Sequence, residues 1–188
     1  MTTERMGPTP SRPGKAPAGR LNLGCGRKPL ANAVNLDVSD RVNADLTHDL
    51  NVTPWPFPDG QFEEVHAYDV IEHVADVVAA LEEIHRICRP GAVVHITVPH
   101  FSSANAFTDL THRHWFGWRS FDVFTDAHEL SFYSPARFRR RTTRISFHPS
   151  PLNRVAFRLA NRWPERYERR WAWMFPAWFL YFELEVVK

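Results

Sequence analysis

The chain of 188 residues carries only two cysteines, Cys25 and Cys88. They build no disulfide framework, so a reducing cytoplasm is the expected compartment. No apolar run approaches the ~20 residues of a membrane-spanning helix. The longest, Trp171 to Phe182, is short and interrupted by Pro176. No secretory signal is expected either, because Met1 to Arg20 is polar and rich in Pro, Gly and Thr. Hydrophobic residues make up 44% of the chain, which excludes a wholly disordered protein. The length suits one core rather than two.

A large net charge is absent too, but the value of +2 hides an asymmetry. Residues 1–136 hold 11 basic and 17 acidic side chains. Residues 137–170 hold 11 arginines against only Glu165 and Glu168. Such a block, Arg137 to Arg170, suggests either an anionic partner, an RNA or a membrane surface, or a solvated face.

Residues 1–19 have no apolar periodicity and read as a disordered tail, leaving 20–188 as a single domain. Leu21 to Leu23, Ala33 to Asp37 and Ala44 to Leu50 read as three short strands, and Phe62 to Tyr68 as a fourth. Between them, Pro54, Pro56 and Pro58 make Thr53 to Gly60 a loop. Asp76 to Arg89 is the clearest helix: Asp76 can cap it, Val77, Leu81, Ile84 and Cys88 recur at helical spacing, and Pro90-Gly91 stops it. Ala92 to Val98 fits a strand buried on both faces. Strands alternating with helices or loops predict a largely parallel α/β sheet. Residues 100–134 hold nine aromatic residues without a clean period, and a segment of this kind suits a lid over a substrate. Arg139 to Phe147 reads as a strand. Asn153 to Trp171 is amphipathic, with Pro164 either starting a new helix or kinking this one. Arg154, Arg158, Arg162, Arg166 and Arg170 form a stripe beside its apolar stripe, which is expected to pack on the sheet. Ala177 to Val187 reads as the last strand.

A strand running into Gly24-Cys25-Gly26 is a nucleotide-binding device, since glycine admits close backbone approach and the following N–H groups attract negative charge. Asp37, at the tip of the second strand, can accept both hydroxyls of a ribose. The dinucleotide fingerprint needs a third glycine where Pro29 stands, and its acid further along. A ligand with one adenosine and no phosphate remains.

Leu-Asn-Leu-Gly-Cys-Gly (21–26) resembles the first motif of class I S-adenosylmethionine-dependent methyltransferases. Asn-Leu-Asp (35–37) resembles their ribose motif, and His-Asp-Leu (48–50) with the stretch 54–62 their adenine site. Tyr-Asp-Val-Ile-Glu-His-Val (68–74) and Leu-Glu-Glu-Ile-His-Arg-Ile-Cys-Arg-Pro-Gly (81–91) are similar to the type 11 group. The resemblance implies a doubly wound Rossmann-like sheet, mostly parallel, with the last strand antiparallel near one edge. It implies S-adenosylmethionine as cofactor and a small or medium-sized acceptor. Gly24 and Gly26 would line the methionine part, with Asn22 and Cys25 in the same motif. Asn22 stands where the family usually has an acid, and Lys28 where a third glycine is common. Asp37 would hold the ribose, Asp49 the adenine amino group (Asp45 is the alternative), and Leu50 would pack on the ring. Tyr68 would face the methyl donor.

Methyl transfer to a neutral oxygen or nitrogen gains from a general base, and histidine suits that task. His112 is the leading candidate, with Asp109 one turn away to orient it, and His100 the second; the alternative is that these groups pin the aromatic insertion to the sheet. His73 either approaches the site or caps the next helix. The histidines of this stretch and Asp109 are of metal-ligand type, but they match no metal motif of the family, and no metal is expected. The fourth strand ends in Tyr68-Asp69-Val70-Ile71 rather than the Asp/Asn-Pro-Pro-aromatic of amino-methylating nucleic-acid enzymes. Two other functions stay open: a cofactor- or partner-binding module without turnover, and an RNA-associated methyltransferase.

Overall fold

The computed structural model describes residues 19–126 and 128–188. The predicted tail, apart from Gly19, lies outside them. Strand β1 (Arg20–Leu23) pairs in parallel with β2 (Val34–Asp37) on one side and β4 (Phe62–Tyr68) on the other. The other strands are β3 (Leu46–Thr47), β5 (Cys88–Pro99), β6 (Arg137–Ile145) and β7 (Phe179–Val187). The seven-stranded order is β3-β2-β1-β4-β5-β7-β6, with β7 antiparallel to both neighbours. The chain winds outward in both directions from β1 and β4, which is the Rossmann-like methyltransferase arrangement expected.

Helix α1 (Val77–Ile87) starts where Asp76 Oδ1 accepts from the Ala79 N–H at 3.0 Å. Its residues Ala80, Leu81, Ile84 and Ile87 are buried at helical spacing. The helix ends earlier than expected, because Cys88 already pairs with Phe62 and begins β5. Strand β5 therefore runs through Pro90-Gly91, where the register shifts against β4 and Gly91 takes a φ of +78°.

In-register neighbours give the sheet one apolar and one polar face. Val65, Ala67, Val94, Ile96, Leu180 and Phe182 are fully buried. Phe121 meets Phe182 edge-on at 4.7 Å between ring centroids, and Phe124 meets Phe138 at 5.9 Å. Phe116, Phe121 and Phe124 are thus core, although the insertion 100–134 was expected to act as a lid. On the opposite face His66 lies beside His95, with Glu64 Oε1 3.1 and 3.2 Å from their Nε2 atoms. Arg139 and Arg141 pair there with Glu185, so part of the arginine block is neutralised inside the domain.

Helices α2 (Asn105–Thr108), α3 (Pro151–Arg162) and α4 (Pro164–Arg170) complete the architecture. Pro164 starts a new helix: Trp163 before it is driven to φ −138°, ψ 66°. The expected packing of the apolar stripe holds only for Tyr167, which is buried against His100 and Phe147; Val155, Leu159, Trp163 and Trp171 are exposed, Trp163 by 50%. The reason is where α3 attaches. Asn161 bonds both the N–H and the carbonyl of Ile145, so the helix joins the edge strand β6 and leaves its apolar side outward. Among the described residues no helix is long and apolar enough to cross a membrane.

Candidate active site

Strand β1 ends in a turn that only glycine accommodates. Gly24 has φ +59°, and a Cβ built there would lie 2.4 Å from Val70 Cγ2. The N–H of Gly26 donates to Asp37 Oδ2 at 2.8 Å, and that of Ser39 to Asp37 Oδ1 at 2.9 Å. Asp37 therefore ties the glycine turn to the end of β2. Beside it opens a cavity of about 230 Å³, at the carboxyl ends of the strands where the order reverses.

Gly24, Asp37, Asp49 and Leu50, which the motifs singled out, line this cavity. A Cβ at Gly26 would meet nothing within 4 Å, so the turn leaves room beside it. Asn22, Cys25 and Tyr68 are not in the wall. Asn22 is buried and donates to Asn35 Oδ1 at 2.9 Å. The buried Cys25 thiol is pushed up by burial and then by Asp37 and Asp45. Tyr68 shares a strand face with His66 and pairs its hydroxyl with His66 Nδ1 at 2.9 Å. The chain turns at Asp69, with φ +54°, and Asp69 enters the cavity instead. Val38, Asn51, Asp69, Val70 and His73 are wall residues that the motifs did not assign. For Asp69 the signal was an acid one position past the fourth strand. Asp45 is engaged with the backbone and side chain of Asn35, which leaves Asp49 as the acid at the cavity.

This site fits S-adenosylmethionine by its chemistry. Its carboxylates Asp37, Asp49 and Asp69 suit a ligand carrying sulfonium and ammonium charges. Leu50 and the exposed Val38 offer apolar contact to an adenine ring.

A second cavity, of about 700 Å³, shares Asp69 and His73 with the first and is also lined by Glu72, Asp109, His112 and Phe179. Glu72 is 1% exposed, and neither carboxylate oxygen has a hydrogen-bond partner among the described residues. Burial, with Asp69 and Asp109 nearby, pushes its pKa up to about 8. Burial and the neighbouring His112 lower that of His73. The expected pairing of Asp109 with His112 side chains is replaced by another. Asp109 Oδ1 accepts from both the N–H and hydroxyl of Thr111, at 2.8 and 2.7 Å. His112 Nδ1 faces the Ala106 carbonyl in α2 at 3.2 Å, and its Nε2 lies 3.9 Å from Glu72 Oε1.

His100 lines neither cavity. It is fully buried, with Nδ1 2.8 Å from Ser102 Oγ and Nε2 3.2 Å from Glu168 Oε1. Since Glu168 also accepts from the Trp118 N–H, this histidine belongs to the set that fastens the insertion to α4.

A family model described as a methyltransferase domain matches residues 4–148. Among solved structures, an S-adenosylmethionine-dependent methyltransferase from Archaeoglobus fulgidus superposes with a TM-score of 0.61 at 14% identity, over 88% of this chain and 85% of that one. One from Mesorhizobium loti gives 0.53 at 16% identity, over 88% and 89%. The YcgJ protein of Bacillus subtilis gives 0.57 at 9%, over 90% and 91%. At such identities these likenesses concern the fold alone. No curated protein sequence matches the chain.

Proposed function

The chain belongs to the methyltransferase-domain family, as a class I enzyme dependent on S-adenosylmethionine, and on that premise we propose that it methylates an oxygen or nitrogen of a small or medium-sized acceptor. The observation that carries this reading is the pair of adjoining cavities with Asp69 and His73 in their common wall. Bound S-adenosylmethionine supplies the activated methyl group on its sulfonium. The protein's part is to hold two partners in line, which lowers the barrier through positioning. Asp37 accepts from the ribose hydroxyls, Asp49 from the adenine amino group, and Gly24 and Gly26 leave space for the methionine part. Leu50 packs on the ring. The acceptor occupies the larger cavity, where Glu72, His73, Asp109 and His112 orient it and take up its proton. His100 serves the fold.

Calorimetry with S-adenosylhomocysteine tests the cofactor site. Asp37→Ala is expected to weaken binding at least tenfold, about 1.4 kcal/mol. Tyr68→Phe is expected to leave it within twofold, because Tyr68 is outside the cavity wall. Absence of binding by the folded wild type would remove the reading; the reverse ranking of the two variants would remove the residue assignment.

A second reading concerns the arginine-rich half and a partner rather than the reaction. A groove of about 470 Å³ between α3 and α4 is lined by Val155, Leu159, Trp163 and Trp171, with Arg166 and Arg170 at its walls. Exposed tryptophans beside arginines suit the interface of an anionic membrane. Co-sedimentation with vesicles of anionic lipid, lost with zwitterionic lipid and weakened by Trp163→Ala, is the expected result. Binding to RNA without binding to vesicles would replace this partner.

A further inference from the structure

Glu72, His73 and His112 come from the turn after β4 and from the loop after α2, and they meet at the acceptor cavity. One ligand-type atom from each lies within 4.8 Å of the other two. The hydrogen bonds around them decide which atoms carry protons. The single proton of the Thr111 hydroxyl goes to Asp109 Oδ1, so Thr111 Oγ1 accepts from His73 Nδ1 at 2.9 Å. The Ala106 carbonyl can only accept, so His112 Nδ1 donates to it. Each imidazole in its neutral form therefore keeps a bare lone pair on Nε2. Glu72 adds a buried carboxylate that accepts no hydrogen bond among the described residues. At 3.9 Å, His112 Nε2 and Glu72 Oε1 are too far apart for a proton to bridge them. Two imidazoles and a buried carboxyl group without a hydrogen-bond partner among the described residues thus meet at one wall of the cavity, a donor set that suits a cation.

We propose that Glu72, His73 and His112 bind a divalent metal ion of the Zn²⁺ type at the acceptor cavity. Two imidazole nitrogens and one carboxylate oxygen form a common three-ligand set that leaves the fourth position open. Ligand bonds of about 2.0–2.1 Å in tetrahedral geometry put neighbouring donor atoms roughly 3.3 Å apart. The present spacing closes to that with shifts below about 1 Å. The Nδ1 bonds to Thr111 and Ala106 hold the rings as outer partners hold ligating histidines elsewhere. This inference rests on the acceptor cavity described above and narrows the acceptor. It is a hydroxylated molecule whose oxygen takes the open position, where the ion makes its proton easier to lose. His112 is then a ligand, and Asp109, at the exposed rim, receives the proton and passes it to water.

The full chain, stripped with a chelator, is titrated with Co²⁺ while the visible absorption is followed, and then with Zn²⁺. The expected result is a band that saturates at one equivalent and is displaced by one equivalent of Zn²⁺. Glu72→Gln and His112→Asn should each weaken binding at least a hundredfold. Zn²⁺ should raise the melting temperature of the wild type but not of these variants. His95→Asn is the control, since Glu64, His66 and His95 form a second cluster of ligand type on the polar sheet face. No saturable band, a band that survives both cavity variants, or one lost in His95→Asn would overturn the proposal. Calorimetry with S-adenosylhomocysteine on the same samples separates the two readings. Cofactor binding without metal leaves the methyltransferase site standing and removes only the ion, and metal without cofactor binding does the reverse.

Discussion

Gly24→Ala is expected to reduce S-adenosylhomocysteine affinity more than a hundredfold, about 2.7 kcal/mol, and to destabilise the fold by about 2–4 kcal/mol. Two effects add. The left-handed backbone at φ +59° costs a non-glycine residue roughly 1 kcal/mol. The larger effect is collision: the new Cβ would lie 2.4 Å from Val70 Cγ2 and 2.8 Å from its Cβ. A valine is stiff at χ1 and cannot swing away freely. Val70 follows Asp69, and both line the cavity beside the glycine turn, so relief of the clash moves the wall itself. Gly26→Ala provides the comparison, because its Cβ would meet nothing within 4 Å and only the backbone cost at φ +48° remains. Shortening the obstacle in Gly24→Ala/Val70→Ala should restore part of the loss, which a double-mutant cycle reads directly. Wild-type affinity and melting temperature in Gly24→Ala would refute the account.

Glu83→Ala is expected to lower stability by about 3 kcal/mol at neutral pH, measured by urea unfolding. Glu83 lies on α1, almost buried. Its Oε2 accepts from the Trp55 N–H at 2.6 Å, and its two oxygens accept from Arg86 Nε and Nη2, each at 2.8 Å. Arg86 also donates to the carbonyls of Trp55 and Phe57 and to Asp59. The proline-rich loop 53–60 has few N–H groups with which to fasten itself, so this pair fastens it to the helix. Removal of the carboxylate leaves a guanidinium and a backbone N–H without their partner in a part-buried place. The hydrogen bonds from Arg86 hold the Glu83 carboxyl below the usual glutamate range. The sign follows from linkage. A depressed pKa stabilises the fold fully above the unfolded value, and the gain is lost as pH falls through the folded value. The difference between wild type and Glu83→Gln should therefore shrink from pH 7 to pH 3. A difference that stays constant across that interval would show that the charge is not what matters.

Much of the half around the glycine turn was legible because its signals are local. Asp37 ends a strand that pairs in parallel with the strand before Gly24, so three residues of pattern place a carboxylate beside a glycine turn. Asp49 and Leu50 follow in the same way. Tyr68 was assigned to the cofactor from the motif, yet it lines neither cavity, because whether the chain turns at residue 68 or 69 decides which side chain enters. Asp69 adopts φ +54°, a conformation open to Asp that the pattern around it does not announce. The acceptor side was less legible. His112 and Asp109 were singled out and do line the cavity, but their separation in sequence suggested a pair that Thr111 and Ala106 prevent. Glu72 was not singled out as a site residue, because burial without a partner is invisible until the loop carrying His112 has returned upon it.

From the sequence alone, alternating and helical apolar spacing determined a largely parallel α/β sheet, and the resemblance of its motifs pointed to the Rossmann-like methyltransferase fold. These features act within a few residues, and hydrophobic period is a local property. Only the tertiary structure decided that the late aromatic residues divide between core and surface. Phe121 and Phe124 cover β7 and β6, while Trp163 and Trp171 remain outward because Asn161 fastens α3 to the sheet edge. It also decided that Glu72, His73 and His112 face one another. Those contacts join segments far apart in the chain, and their cost or gain is set by desolvation, which depends on everything that surrounds them.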